Sequence, residues 1–573
     1  MFFDIEKLKI DNSIAYISFD VYDTLIQRII PVEKIYNIIE EKCKIADFKN
    51  IRMEAERNIK KQAFNIYDIY NAQEFKSIKE EYRIEALKME IELEKNNVVP
   101  RRLGKKMIEK LPEKVKIICI SDMYFDKNTI SYLLKKCGYY KIEKVYVSSD
   151  YNESKRNGKL YEIVLNDLKI NKNEIMHIGD ALRSDYMMPK TKGIKSLWIG
   201  KNNIENSRKV LDDTEYLAFL GYYYFGPLIY EFIQKVHENQ KEQKYFLARE
   251  GIFIKECYEI MFEDENNKTL YLSRKSVLSG VVHEFIKQEK VEDLINMMSK
   301  SLTDSGDKIL KRLGINYSGN TLRNEKDVCK YIYKNKEKIL SETKEKSNLF
   351  DKYLKENIKC DGIFIDIGWN GSMQNIIKKY FEVKKVKIDI KGIYLGINNK
   401  ENDKNGFLFE QFGNDNMNVM NYSGLLETIF MPNIGSVVGY KEEKNIIVPI
   451  HDTIEFDERS MQKIELLQRG MKEFIADISK ITKDKSIFSN SEIIEKVNKI
   501  GLYPSQRDIK ILGTINFYDN GTAARLIEGK HNLKRNFLNS KWKTGFLKST
   551  LKLPIKYEKI LNFMRIVRKN RSK

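Results

Sequence analysis

Carboxylates recur in this chain where short apolar runs end. Asp20 and Asp23, followed by Thr24, close the run Ala15-Tyr16-Ile17-Ser18-Phe19. Ser121 and Asp122 close Val115-Lys116-Ile117-Ile118-Cys119-Ile120. Gly179-Asp180, with Asp185 shortly after, closes Glu174-Ile175-Met176-His177-Ile178. Lys155, Gly158 and Lys159 follow another such run, Lys144-Val145-Tyr146-Val147-Ser148-Ser149. A carboxylate at a strand end serves as nucleophile, metal ligand or helix cap, and ligands of open α/β sheets collect at those ends. Taken singly, Ser121 and Asp122 read as caps and Lys155 as a solvated charge. The joint set argues for one shared site. His177, alone inside an apolar strand, reads as a buried structural residue.

Such residues need a scaffold that gathers separated strand ends. The apolar runs, with a fifth at Lys195–Gly200, alternate with amphipathic stretches through Tyr132-Leu133-Leu134 and from Leu160. That alternation is the pattern of a doubly wound parallel sheet, and Cys137-Gly138 suits a helix end. From Ile26 to about Pro112 the apolar spacing is helical, as in Val32–Ile39 and Ile84–Leu93. A helical insertion therefore follows the first strand, either a cap over the site or an ordinary subdomain.

The chain turns polar near Asn202–Asp213, and a second set of strand ends follows. Lys244–Ala248 runs into Arg249-Glu250-Gly251, and Leu270-Tyr271-Leu272 into Ser273-Arg274. Gly362–Ile365 runs into Asp366-Ile367-Gly368-Trp369-Asn370-Gly371-Ser372, and Lys391–Gly396 is a further strand. This reads as a second, Rossmann-like α/β module interrupted by a charged helical insert at about 291–357. The glycine-bracketed turn before a helix would offer backbone amides to an anion, with Arg249 and Arg274 clamping the same phosphate or carboxylate. A tight turn flanked by structural ion pairs is the equal alternative. The turn is neither a Walker loop nor a clean dinucleotide fingerprint. The expected division is a first domain at 1–205 with its cap at about 26–112, the second module at 206–450, a helical extension at 451–529 and a basic tail at 530–573.

With 573 residues, 42% of them hydrophobic, the chain is long enough for two or three cores and too apolar for a disordered protein. Cysteines 43, 119, 137, 257, 329 and 360 form no CxxC pair, which argues for reduced thiols and against a structural zinc. Met1–Lys7 lacks a secretory n-region, and no apolar run approaches the ~20 residues of a membrane span. The expectation is a cytoplasmic protein, peripheral at the inner membrane face at most. The +19 charge is concentrated: residues 530–573 hold fourteen Lys/Arg and one acid, Glu558, a net +13. There Lys541, Lys543, Lys548 and Lys552 interleave with Trp542, Phe546, Leu547 and Leu551. That pattern suits an anionic lipid surface, would also serve nucleic acid, and is found in solvated, partly disordered ends; of these the lipid reading is favoured.

Asp20-Val21-Tyr22-Asp23-Thr24, Ser121, Lys155 and Gly179-Asp180 with Asp185 resemble the four motifs of the haloacid dehalogenase-like (HAD) superfamily. The resemblance covers roughly residues 10–200, and the insertion after the first motif is similar to that superfamily's first type of cap. It implies Asp20 as the nucleophile of an aspartyl-phosphate mechanism. It further implies Mg²⁺ held by Asp20, Asp180 and the Tyr22 carbonyl, with Asp185 ligating through water or orienting its neighbour. Ser121 would donate to the phosphoryl group, and Lys155 would neutralise charge, with Lys159 as the fallback. One departure stands out. Tyr22 occupies the place of the usual general acid, and Asp23 that of a small residue. Tyrosine there resembles the dehalogenases themselves, but those need no metal and generally lack the Gly-Asp pair, so metal-dependent phosphoryl chemistry is preferred.

The order of a HAD module, then Leu247-Ala248-Arg249-Glu250-Gly251, Leu272-Ser273-Arg274 and Asp366–Gln374, resembles bacterial HAD hydrolases associated with capsule and O-antigen assembly. That resemblance implies a phosphorylated small molecule or glycan precursor, of sugar- or polyol-phosphate type, as substrate. A glycosyltransferase-type second module and a catalytically weak scaffold are the alternatives.

Overall fold

The apolar runs that end in carboxylates fold as parallel strands, because their Ile, Val and Phe side chains are covered on both faces. In the computed structural model, residues 10–200, 208, 211–239, 241–299, 306–317, 322, 324–453, 456–519, 522–529, 531–553 and 555–571 are described. The polar boundary expected near 202–213 lies largely outside them. The chain divides into two units, Met1–Tyr216 with Asp477–Lys483 and Leu217–Ala476 with Asp484–Lys573.

In the first unit, β1 (Tyr16–Phe19) is followed by β2 (Ile26–Arg28) and helices α1 (Val32–Cys43), α2 (Phe48–Asn58), α3 (Ile66–Tyr70) and α4 (Glu80–Asn96). β3 (Val98–Pro100) then pairs antiparallel with β2, so the helices leave and rejoin the sheet through a two-stranded ribbon. The insertion has its own core. Phe48 and Phe75 are fully buried, and the buried Arg52 guanidinium donates to both Glu90 oxygens at 2.9 and 2.7 Å. The strands β4 (Lys116–Ser121), β5 (Ile142–Val147), β6 (Ile175–Gly179) and β7 (Lys195–Trp198) complete a parallel sheet ordered β5-β4-β1-β6-β7. The chain steps outward from β1 to β4 and β5, then returns to the other side of β1 with β6. That reversal opens a crevice between the carboxyl ends of β1 and β6. Ser148 and Ser149, read from sequence as the end of a strand, open a short helix instead.

The second unit carries β8 (Gln243–Leu247), β9 (Asn267–Leu270), β10 (Gly362–Trp369), β11 (Ile390–Ile397) and β12 (Lys404–Gly406) in the order β12-β11-β10-β8-β9. Here too the order reverses, between β8 and β10. β10 runs further than the sequence suggests. Asp366, Gly368 and Trp369 pair with Tyr394, Gly396 and Ile397, which leaves only Asn370 and Gly371 as the turn before the helix from Ser372. The extra pairing needs glycine, since a Cβ on Gly368 would stand 2.1 Å from the Gly396 carbonyl. The helical insert begins at Val291 and ends in the long helix Lys336–Asn357, whose Phe350 and Leu354 join the main core.

Among the described residues of the C-terminal stretch, helices span Leu533–Asn539, Lys543–Leu551 and Tyr557–Arg571. Trp542 and Phe546, read from sequence among the apolar members of a lipid-facing pattern, are buried within the unit. The Trp542 indole donates to the Gly501 carbonyl at 2.7 Å. Among the described residues no helix is long and apolar enough to cross a membrane, and all six cysteines are free thiols.

Candidate active site

Asp20 leaves the end of β1, its amide donating to the Ile178 carbonyl of β6, so the two strand ends that face the crevice are locked in register. Thr24 is fully buried and donates its hydroxyl to Asp20 Oδ2 at 3.2 Å. Lys155 reaches in from the loop after β5. Its Nζ donates to Asp20 Oδ1 at 2.6 Å and to Asp185 Oδ1 at 2.7 Å. The loop is held by Asp122, which accepts the Lys155 amide at 2.8 Å, so Asp122 positions the lysine rather than capping a helix. Lys159, the alternative lysine, is exposed and pairs with Glu153.

Asp185 is bound on every side. Besides Lys155, it accepts the Ala181 amide at 2.9 Å, and His177 Nε2 stands 3.5 Å away. Gly179 allows this approach, since a Cβ there would lie 2.4 Å from Asp185 Oδ2. His177 is buried as expected, with Nδ1 2.8 Å from the Ser18 hydroxyl, and burial keeps its imidazole below the ordinary pKa. It stands behind Asp185. Burial works against the charge of Asp185, but Lys155 and His177 outweigh it and hold the carboxyl far below its usual range. Burial likewise opposes the charge on Lys155, and Asp185 and Asp20 overcome it.

Asp20 and Asp180 go the other way. Burial, against the pull of Lys155, pushes the Asp20 carboxyl up, and burial together with Asp185 pushes Asp180 up to about 6. Three carboxylates, Asp20, Asp180 and Asp185, have oxygens within 4.8 Å of one another, and one ammonium bridges two of them. Neither the Asp180 carboxylate nor the buried Ser121 hydroxyl takes part in any hydrogen bond among the described residues. An all-oxygen donor set with unmet negative charge fits a hard divalent cation such as Mg²⁺.

Two sequence-selected side chains do not join this cluster. The Tyr22 hydroxyl donates to Glu94 Oε1 of α4 at 2.7 Å, and the Arg28 guanidinium lies 4.6 Å over its ring while donating to the same carboxylate. Burial and Glu94 raise the phenol well above its ordinary pKa, and its proton is directed at Glu94. Asp23 is exposed, in the left-handed region at φ 58°, with its carbonyl held by the buried Arg101. Its charge is still felt by Asp180. Arg28, Glu94 and Arg101 went unread because their partners are remote in sequence and nothing local marks them.

In the second unit, Arg249 and Arg274 do stand at strand ends, but carboxylates stand there too. Arg249 donates to the Ser436 hydroxyl at 3.2 Å and lies 3.9 Å from Glu250. Arg274 is exposed at the start of a helix capped by Ser273. Trp369 donates to Glu427 at 2.7 Å, and Asn370 accepts from Asn398 at 2.7 Å. Gly371 takes φ 60° before Ser372. Burial and then Glu250 raise the Asp366 carboxyl. Glu250 and Glu427, outside the sequence-selected set, place negative charge where an anion was expected.

Residues 17–199 match a family model described as haloacid dehalogenase-like hydrolase. No curated protein matches the chain. Among solved structures, the HAD-hydrolase YfnB from Bacillus subtilis, bound to magnesium, is 16% identical. That likeness covers 32% of this chain and 88% of that one at a TM-score of 0.26. The haloacid dehalogenase-like hydrolase SP0104 from Streptococcus pneumoniae is 14% identical, over 34% and 89%, at 0.25. The L-2-haloacid dehalogenase from Xanthobacter autotrophicus is 13% identical, over 32% and 76%, at 0.23. At these identities and TM-scores the structures carry nothing about substrate. Residues 17–199 are thus similar to the haloacid dehalogenase-like hydrolases, and the match ends before the second sheet begins.

Proposed function

We propose that the first unit hydrolyses phosphate monoesters through an aspartyl-phosphate on Asp20. The observation that carries this reading is the Lys155 ammonium bridging Asp20 and Asp185 while Asp180 and Ser121 keep free hydrogen-bonding capacity in the same crevice. An Asp20 oxygen attacks phosphorus, the bond to the ester oxygen breaks, and the alkoxide leaves with a proton. Water then attacks the acyl phosphate, releasing inorganic phosphate and restoring the carboxylate. Lys155 favours the Asp20 anion and offsets charge on the phosphoryl oxygens, and Ser121 donates to one of them. Asp20, Asp180, Asp185 and the Tyr22 carbonyl would hold Mg²⁺, which supplies charge neutralisation where two anions meet. With Tyr22 committed to Glu94, Asp23 is the residue we assign to protonate the leaving group.

The substrate class we assign, on the motif resemblance, is a sugar- or polyol-phosphate of surface-polysaccharide assembly. Phosphate release from such a panel should need Mg²⁺, vanish on chelation, and fall by about 10³ or more in Asp20→Asn. Metal-independent halide release from 2-haloacids, with no phosphatase activity, would overturn the reading. In the rival arrangement the second unit transfers glycosyl groups; sugar nucleotide consumed by Asp20→Asn but not by Arg249→Ala would favour it.

A further inference from the structure

We propose that the helix Tyr557–Arg571 docks the protein onto an anionic lipid surface. One face of this helix is accounted for: Tyr557, Glu558 and Leu561 are buried, and Arg565 donates to the Met420 carbonyl at 2.8 Å and to Asn421 Oδ1 at 3.1 Å. The opposite face should then be polar, as on an ordinary surface helix. It is not. Ile560, Phe563 and Met564 stand 46, 66 and 51% exposed, and half-buried Val567 continues their i, i+3, i+4, i+7 stripe. Leu551, Leu553 and Ile555, exposed just before the helix, extend the apolar surface.

The surroundings choose the occupant. Exposed Lys552, Lys556 and Lys559 flank the stripe, in a stretch with fourteen Lys/Arg and one acid. A second copy would bring the same positive charge against itself, so an isologous dimer is opposed by repulsion. Nucleic acid would be met by aliphatic side chains and one ring, a poor stacking platform. Anionic lipid satisfies both features: the apolar stripe enters the acyl boundary while the lysines remain among the headgroups.

The test is co-sedimentation of the full chain with vesicles of phosphatidylcholine alone and of phosphatidylcholine mixed with phosphatidylglycerol. Binding should require phosphatidylglycerol, weaken with added salt, and drop at least about tenfold in Phe563→Ser/Met564→Ser. Lys556→Glu/Lys559→Glu should lose the anionic preference with an unchanged melting curve, and it stands in if the first variant misfolds. Equal binding to both vesicle types, or by both variants, would overturn the proposal. So would a dimer in solution that dissolves on Phe563→Ser/Met564→Ser, or single-stranded RNA binding that needs Phe563.

Discussion

Both units fold a five-stranded parallel sheet whose strand order reverses once, and both place carboxylates at the reversal. What differs is the counter-charge. Between β1 and β6 a buried ammonium lies between two aspartates, and a third, Asp180, has no donor among the described residues. At the β8 and β10 ends, Asp366, Glu250 and Glu427 have arginines nearby. Arg249 is engaged with Ser436, and Arg274 is exposed. Topology therefore supplies a crevice in each unit, and buried charge balance, set by single residues, is what distinguishes the two.

The comparison breaks most sharply at Lys155. Lys155→Met leaves Asp20 and Asp185 buried without their shared partner, which should cost about 3–5 kcal/mol in chemical denaturation. It should also remove at least about 10³ of the phosphatase rate. Retained turnover would show that the ammonium is incidental and the two crevices are equivalent.

A smaller effect is expected at Gly179, where an added methyl would press on Asp185. Gly179→Ala should cost about 1–3 kcal/mol and raise the Mg²⁺ requirement, read from activity against metal concentration.

In the other crevice, Asp366→Asn should leave phosphatase turnover unchanged. Its effect belongs to stability. Burial, then Glu250, lifts this carboxyl from the ordinary 3.8 to about 7. The folded chain therefore keeps the proton to higher pH than the unfolded chain does. The resulting stability is full below the unfolded value and is lost as pH rises through the folded one. Denaturation midpoints of the native protein should fall across that window, and the slope should flatten in Asp366→Asn.

The smallest effect should come from Tyr22→Phe. Glu94 keeps its Arg28 pair at 2.9 Å, so stability should change by about 1 kcal/mol and turnover by less than about threefold. A large rate loss would return Tyr22 to proton transfer.

How much of this was legible follows from distance along the chain. Apolar runs ending in Asp20, Ser121 and Asp180 are local signals, and the strands stand where those runs do. Lys155 and Lys159 could not be told apart by spacing; only the fold shows one buried between aspartates and the other paired with Glu153 on the surface. The Tyr22–Glu94–Arg28 knot spans the helical insertion, so its members carry no mark in sequence. β10 was read short because Asp366 and two glycines look like a turn, whereas Gly368 is the residue that lets the strand approach Gly396. The last stretch was misread in part because interleaved Lys and aromatics look alike whether the rings face lipid or, like Trp542, the core.

The account rests on Asp20 and Asp180 sharing one divalent ion beside Lys155. Anomalous scattering from crystals soaked in Mn²⁺ tests that directly. It should show a strong peak in the first unit, in contact with Asp20 and Asp180, which disappears in Asp180→Asn. A peak confined to the carboxylates around Asp366, or none near Asp20, would contradict it.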